Sequence, residues 1–292
     1  MNKAIIVCVS VLLAAAMLLT ACGSKESSAS GSTADSAPQT SATAVTVPKT
    51  EAATAAPVTE TQPVTEPTTE PFVMNDERSD PGDVYDGAGF VSLSDLIPDI
   101  ILDIRYYSDY NFVGKRVNGY EEPLALLTKE AARALASVAD KLREKGYRIK
   151  IYDAYRPQIA VDHFASWAAD PNDDKMKADF YPELDKSVLF DYGYIAHYSG
   201  HSRGCTVDMT LCDSSGKDLD MGSTFDYFGE ISHPDYTGIT EQQYNNRMLL
   251  RNAMTEGGFR PCPTEWWDFT LIDEPYPDTY FTFPVSKKSL KY

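Results

Sequence analysis

Positive charge is scarce in this chain. Lys and Arg number 26 against 43 Asp and Glu, a formal net charge of -17. That balance argues against nucleic acid and anionic lipid headgroups as partners. Histidine is rarer still, with four in 292 residues: His163, His197, His201 and His233. The five cysteines are Cys8, Cys22, Cys205, Cys212 and Cys262, and their spacing is not that of a Cys-type zinc site. The last three leave room for at most one internal disulfide, with Cys212–Cys262 the pairing to consider. Long apolar runs are missing beyond Ala4 to Leu19, which is too short and too lightly flanked to read as a membrane span.

That run follows Lys3 and ends in Leu19-Thr20-Ala21-Cys22, so residues 1–22 read as a secretory signal closing on a bacterial lipobox. Cys22 is then the lipidated first residue of the mature protein. Residues 23–80 hold Ser, Thr, Ala, Pro and Glu with almost no large apolar side chains, and "TEPTTEPFV" nearly repeats "TETQPVTEP". Such a stretch cannot bury enough surface to offset its ordering entropy. It reads as a tether between a membrane and a domain. The expected location is extracytoplasmic, on a bacterial cell membrane, with the membrane touched only through the lipid at Cys22. Residues 81–292 remain, enough for one domain with a substantial core.

Within the domain, Thr128 caps a helix whose Leu135, Val138 and Leu142 share a face, with Gly146 at its end. "YRIKIYDAY" alternates as a strand does. Pro157 opens a second helix with Ile159, His163, Phe164 and Trp167 along one side. A strand runs from about Cys205 to Leu211. Thr240 and Gln243 form a capping box ahead of a third helix stopped by Gly257-Gly258. "EWWDFTL" is the last strand. Helices and strands mix without regular βαβ spacing, so the expected class is α+β, one domain with a central, mostly antiparallel sheet flanked by helices.

Two strings carry chemistry. In "SGHSRGCTVD", His201 sits in a small-residue loop and Asp208 in a strand, a pair that is either a hydrogen-bonded couple or part of a metal site. In "EWWD", Glu265 and Asp268 add two carboxylates beside two indoles, which is costly unless a cation holds them. A catalytic zinc takes about three protein ligands and works with a carboxylate base, so the four residues fit together. Positions i and i+3 of a regular strand face opposite ways, so Glu265 must sit at the strand entry or on a bulge. In "YDAYRPQ", Arg156 is either a salt-bridged structural residue or a fixed charge for an oxyanion.

"DIRYYSDYNFVGKRVNGY", "YDAYRPQIAVDHFASWAADP", "SGHSRGCTVDMTL", "MGSTFDYF", "EWW" and "DEPYPDTYFTFP" together resemble the D-alanyl-D-alanine dipeptidases, zinc peptidases that cut a free D,D-dipeptide. The likeness spans about Asp103 to Pro284. It implies the fold of that family and one zinc ion per chain, with His201 and Asp208 as ligands and Glu265 as general base. It also implies that Arg156 steadies the oxyanion, that Asp226 holds the substrate's ammonium group, and that Tyr106 and Ser199 line a small pocket. A pocket closed at the ammonium end admits a dipeptide and rejects a longer chain.

The family's string ends Glu-Trp-Trp-His, with that His as third ligand; here the position is Asp268. Asp268 as ligand lowers the site's formal charge from about +1 to about 0 and leans the metal preference from zinc towards harder divalent ions such as manganese. Alternatively His197 completes the site, or the domain binds wall peptides without cutting them. The reading adopted is a metallopeptidase of peptidoglycan metabolism acting on a D,D-dipeptide. Its rivals are a D,D-carboxypeptidase trimming stem peptides and a peptidoglycan-binding domain.

Overall fold

The computed structural model describes residues 87–291, which belong to one compact unit. The expected signal, the expected lipobox with Cys22 and the expected tether lie outside the described residues. Among the described residues no helix is long and apolar enough to cross a membrane.

The strands are β1 (Gly87–Ala88), β2 (Phe90–Ser92), β3 (Ile101–Leu102), β4 (Leu126–Thr128), β5 (Tyr147–Asp153), β6 (Thr206–Asp213), β7 (Phe259–Pro261), β8 (Asp268–Leu271) and β9 (Leu290–Lys291). The α-helices are α1 (Lys129–Glu144), α2 (Gln158–Ala168), α3 (Lys177–Phe180) and α4 (Glu241–Glu256). Five strands form the main sheet in the order β3-β5-β6-β8-β7, with only β3 and β5 parallel. The domain is thus α+β with a mostly antiparallel sheet. Two small ribbons, β2-β4 and β1-β9, complete the sheets among the described residues.

The helix ends follow their local chemistry. Thr128 accepts the Ala131 N–H and starts α1, whose buried face includes Leu135, Val138 and Leu142. Thr240 and Gln243 make a reciprocal capping box at α4, which ends at Gly257. Helix α2 starts after Pro157, but its buried side is Ala160, Val161, Phe164 and Trp167; Ile159 is 49% exposed and His163 half-buried. The last long strand begins only at Asp268, because Glu265, Trp266 and Trp267 form the turn that leads into it.

Strand β6 is buried on both faces until its last residue, and alternation sends Asp208 and Thr210 to the face opposite Val207, Met209 and Leu211. Its pairing with β5 slips between Ile151 and Asp153, so Tyr152 is the extra residue of a bulge and Asp153 stands opposite Asp208. On its other side β6 sets Asp208 opposite Asp268 of β8. Asp153, Asp208 and Asp268 therefore occupy one rung of three adjacent strands. Like charges directly opposite are destabilising, so this rung needs cationic partners.

The three described cysteines are free thiols, so no Cys212–Cys262 disulfide forms. Cys212 instead donates to Asp218 at 3.1 Å, and Cys262 lies 3.4 Å from the Thr264 hydroxyl. Cys205 packs 3.1 Å from the Thr128 hydroxyl, in the core.

Candidate metal centre

His201 reaches the aspartate rung from a short 3-10 turn, Gly200–Arg203. Ser199 caps that turn by accepting the His201 N–H at 3.2 Å. Gly204 closes it at φ +77, where an added Cβ would lie 2.3 Å from the Phe90 ring. Two bonds then hold the turn against the end of β5: His201 O accepts the Arg156 N–H at 3.3 Å, and His201 Nδ1–H donates to Ala154 O at 2.6 Å. With Nδ1 spent on a carbonyl, Nε2 is left as the lone-pair nitrogen, as in histidines that ligate metals. It points between two carboxylates, 3.4 Å from Asp208 Oδ2 and 3.3 Å from Asp268 Oδ2.

These separations suit a shared ion. Ligand atoms on a tetrahedral centre with bonds of about 2.0–2.1 Å lie about 3.3 Å apart. Asp208 Oδ1 is buried with no hydrogen-bond partner among the described residues, the state expected of an oxygen meant for a cation. Asp208, Glu265 and Asp268 each bring an oxygen within 4.8 Å of the others. Asp153, His201 and Asp208 meet the same distance test. The Asp153 oxygens, however, are taken by Tyr120 OH at 2.6 Å and Arg156 Nε at 2.8 Å. The donor set that fits a divalent ion is His201, Asp208 and Asp268, with Glu265 beside it.

Protonation follows from crowding. Burial raises Asp208 to about 6, although His201 beside it pulls the other way. Burial, then the charges of Asp268, Asp208 and Asp226, lift Glu265 well above the usual carboxylate range. Burial works against a proton on His201, yet the Asp208 carboxylate and its hydrogen bonds outweigh it and raise the imidazole to about 10. A divalent ion would take the place of the protons held here.

Arg156 stands at the edge of the cluster, 13% exposed, with Nε on Asp153 and Nη2 3.4 Å from Asp208 Oδ2. Its guanidinium carbon lies 5.0 Å from the centre of the Tyr106 ring and 5.3 Å from that of Phe164. Tyr106 in turn donates to Asp226, at 3.0 Å to Oδ2 and 3.2 Å to Oδ1. Asp226 is the one non-glycine residue with positive φ (+61) among the described residues. A loop that holds a carboxylate in the left-handed region is held there by its surroundings. Burial, then the charge of Asp208, raises Asp226 to about 8.

Seven of the eight side chains singled out in the sequence thus converge around the end of β6, while Ser199 contributes its hydroxyl as the cap of the His201 turn. His197 is not among them: it is exposed and stacks on Phe190 at 4.8 Å. His163 accepts the Asn118 N–H at 3.1 Å, and His233 follows a short turn. Asp153 was the omission. Its signal was the spacing Asp153-x-x-Arg156 at a strand end, which pairs the two through the 2.8 Å bond.

A family model described as D-Ala-D-Ala dipeptidase matches residues 86–286. The chain belongs to the D-Ala-D-Ala dipeptidase family. A D-alanyl-D-alanine dipeptidase of Enterococcus faecalis is 42% identical over 199 residues, covering 68% of this chain and 98% of that protein. One of Enterococcus faecium is 39% identical over 198 residues, with the same coverage of each. The Escherichia coli dipeptidase is 35% identical over 186 residues, 64% of this chain and 86% of its own. A zinc(II) complex of the vancomycin-resistance D,D-pentapeptidase VanY overlaps 53% of this chain and 78% of its own at 14% identity and a TM-score of 0.31, too loose a likeness to place any residue.

Proposed function

We propose that this dipeptidase-family protein hydrolyses D-alanyl-D-alanine, or a closely related short D,D-peptide, with one divalent cation held by His201, Asp208 and Asp268. The observation that carries the reading is the junction of His201 Nε2 with Asp208 and Asp268 at 3.3–3.4 Å, beside Glu265 and Arg156. When bound, such an ion supplies Lewis-acid charge to the scissile carbonyl and the attacking water.

The chain's own residues supply the rest. Glu265, raised by burial, takes a proton from the attacking water and returns it to the leaving amine as the C–N bond breaks. Arg156, fixed from behind by Asp153, offers its charge to the oxyanion. Asp226 receives the substrate's ammonium group, and Tyr106 holds Asp226 in place. Asp226 is 6% exposed and Tyr106 1%, so the amino end of the site is closed by protein. That closure favours a free dipeptide over trimming of a longer stem peptide.

The leader and tether support export and attachment through Cys22, where dipeptides released from the wall would be the substrate. The test is release of D-alanine by the purified protein supplied in turn with zinc, manganese and cobalt. Turnover of D-Ala-D-Ala but not of a stem pentapeptide is expected. Cleavage of the pentapeptide alone would assign a carboxypeptidase. No turnover with any ion would leave a binding domain. Palmitate labelling of the cells, lost in Cys22→Ser, tests the anchor.

A further inference from the structure

Arg247 lies on α4, outside the cluster of ligands and carboxylates, and is 1% exposed. A buried guanidinium ordinarily needs a carboxylate against it. This one meets three backbone carbonyls: Nε donates to Met221 O at 2.6 Å, Nη1 to His233 O at 2.8 Å and Nη2 to Ile231 O at 2.8 Å. Burial lowers its pKa to about 10, with Asp220 pushing the other way. For filling space alone, an apolar side chain would avoid that desolvation.

The three acceptors share one property. They are the two feet of residues 221–233, the segment that carries Asp226 at φ +61. Asn246, next to Arg247, adds a fourth tie by donating to Asp220 O at 2.8 Å. The same segment is bonded to the turn that carries Glu265. The Trp266 N–H donates to Ser232 O at 2.9 Å, and its indole N–H to Ser223 Oγ at 2.8 Å. Ser232 Oγ closes the segment on itself through Tyr227 O at 2.6 Å. The Arg247 guanidinium carbon is 5.8 Å from the centre of the Trp266 ring.

We propose that Arg247 is a positioning residue that fixes Asp226 relative to Glu265 by gathering both feet of the Asp226 segment beneath Trp266. The proposal rests on the hydrolytic reading above and extends it. In a dipeptide the ammonium nitrogen and the scissile carbonyl carbon are separated by one carbon. The carboxylate that grips the first therefore decides where the second meets the base. A planar fork with donors in three directions reaches three carbonyls at once, which an ammonium point charge does not reproduce.

The test compares wild type with Arg247→Lys and Arg247→Met in the full chain. It measures thermal unfolding, metal content, kcat and KM for D-Ala-D-Ala, and the fluorine NMR spectrum with 5-fluorotryptophan at the three indoles, Trp167, Trp266 and Trp267. A displacement of about 1 Å at a reacting centre is worth about 100-fold in rate. Expected are folded variants with unchanged metal content, kcat/KM lower by about 100-fold with KM raised, little recovery in Arg247→Lys, and a shifted Trp266 resonance. Folded variants with kcat and KM within about twofold of wild type and an unmoved Trp266 resonance overturn the proposal. If neither variant folds, Trp266→Phe decides, since it removes the indole bond to Ser223 while keeping the backbone bond to Ser232. A raised KM at unchanged metal content supports the coupling, and unchanged kinetics refute it. Should wild type hydrolyse no dipeptide, the hydrolytic reading fails, and the Trp266 resonance in the Arg247 variants still decides whether the segment and the turn move together.

Discussion

Replacing Tyr106 with Phe removes one oxygen from a residue that is 1% exposed and leaves its ring contacts in place. That oxygen is the donor to both oxygens of Asp226, at 3.0 and 3.2 Å. A hydrogen bond to a charged group is worth about 1.5–3 kcal/mol, which corresponds to roughly 10- to 150-fold in an equilibrium. Two consequences follow. The Tyr106 bond lowers the Asp226 pKa from where burial would put it, so its loss moves that group further above about 8. At neutral pH a smaller fraction of Asp226 is then anionic, and the substrate's ammonium group loses its partner. The expected result is a KM for D-Ala-D-Ala raised by roughly one to two orders of magnitude, with kcat much less affected and the rising limb of kcat/KM displaced to higher pH. The assay is a pH series of initial rates for wild type and Tyr106→Phe at fixed metal. A variant whose KM and pH profile overlay those of wild type would show that Asp226 does not bind the ammonium end, whatever its burial.

Glu265→Gln keeps the shape of the turn and removes the proposed proton carrier. Turnover should fall by about 100- to 10,000-fold with the thermal midpoint little changed, and retained activity would place the base elsewhere. Asp268→Ala should lower bound metal, read by elemental analysis. Asp268→His should raise the affinity for zinc relative to manganese, read by competition titration, because it exchanges an anionic oxygen for a neutral nitrogen. Asp153→Asn should lower kcat more than it raises KM, since Arg156 loses the anion at 2.8 Å that aims it. The metal-free protein should lose stability as pH rises. Asp208 at about 6 and Asp226 at about 8 both lie above their unfolded value of 3.8. Their contribution is complete below about pH 4 and is lost through about 6 and about 8, and His201, raised to about 10, acts in the same direction. Urea midpoints at pH 5 and pH 8 after chelation check this, and added metal should flatten the difference.

What could be read from residue order was what neighbours along the chain decide. Thr128 and the Thr240–Gln243 pair cap their helices through bonds spanning three residues, so both starts were visible. Helix α2 was misjudged because Ile159 outweighs Ala160 in any count of hydrophobicity, while the packed surroundings buried the smaller residue. The strand drawn through "EWWDFTL" starts three residues later than drawn, because Trp266 and Trp267 turn the chain before Asp268 begins its ladder, and Glu265 lies at the strand entry as the i, i+3 argument required. His201 and Asp208, left open by spacing alone, were marked as ligands only through the family resemblance of their string, whereas the rung that joins Asp208 to Asp153 depends on a bulge at Tyr152 that only long-range pairing creates. The positive φ of Asp226 likewise belongs to the folded segment and leaves no mark in composition.

The cleft is organised around a deficit of positive charge. Among the described residues, Asp153, Asp208, Asp226, Glu265 and Asp268 meet the Arg156 guanidinium and the His201 imidazole, while Arg105, already paired with Asp103, acts on Asp226 from further off. Left alone, the fold favours protons on His201, Asp226 and Glu265 at neutral pH, and on Asp208 below about pH 6. A divalent ion and a substrate ammonium group bring three positive charges at the two places where carboxylates crowd, and they displace those protons. One negative charge then remains in the formal count; in the proposed reaction it passes from Glu265 to the attacking oxygen as Glu265 takes the proton from water. The same shortage explains Asp153: because Arg156 is shared between Asp153 and Asp208, its charge is held at the cluster's edge, facing the space where an oxyanion would form. A site assembled in this way binds its ion and its substrate cooperatively, since each cation lowers the repulsion that the other must overcome. Dipeptide affinity should therefore fall on chelation, and metal affinity should rise with a non-hydrolysed dipeptide analogue bound. If calorimetry found the two affinities independent, the carboxylates would not share one electrostatic field, and this account of the cleft would fail.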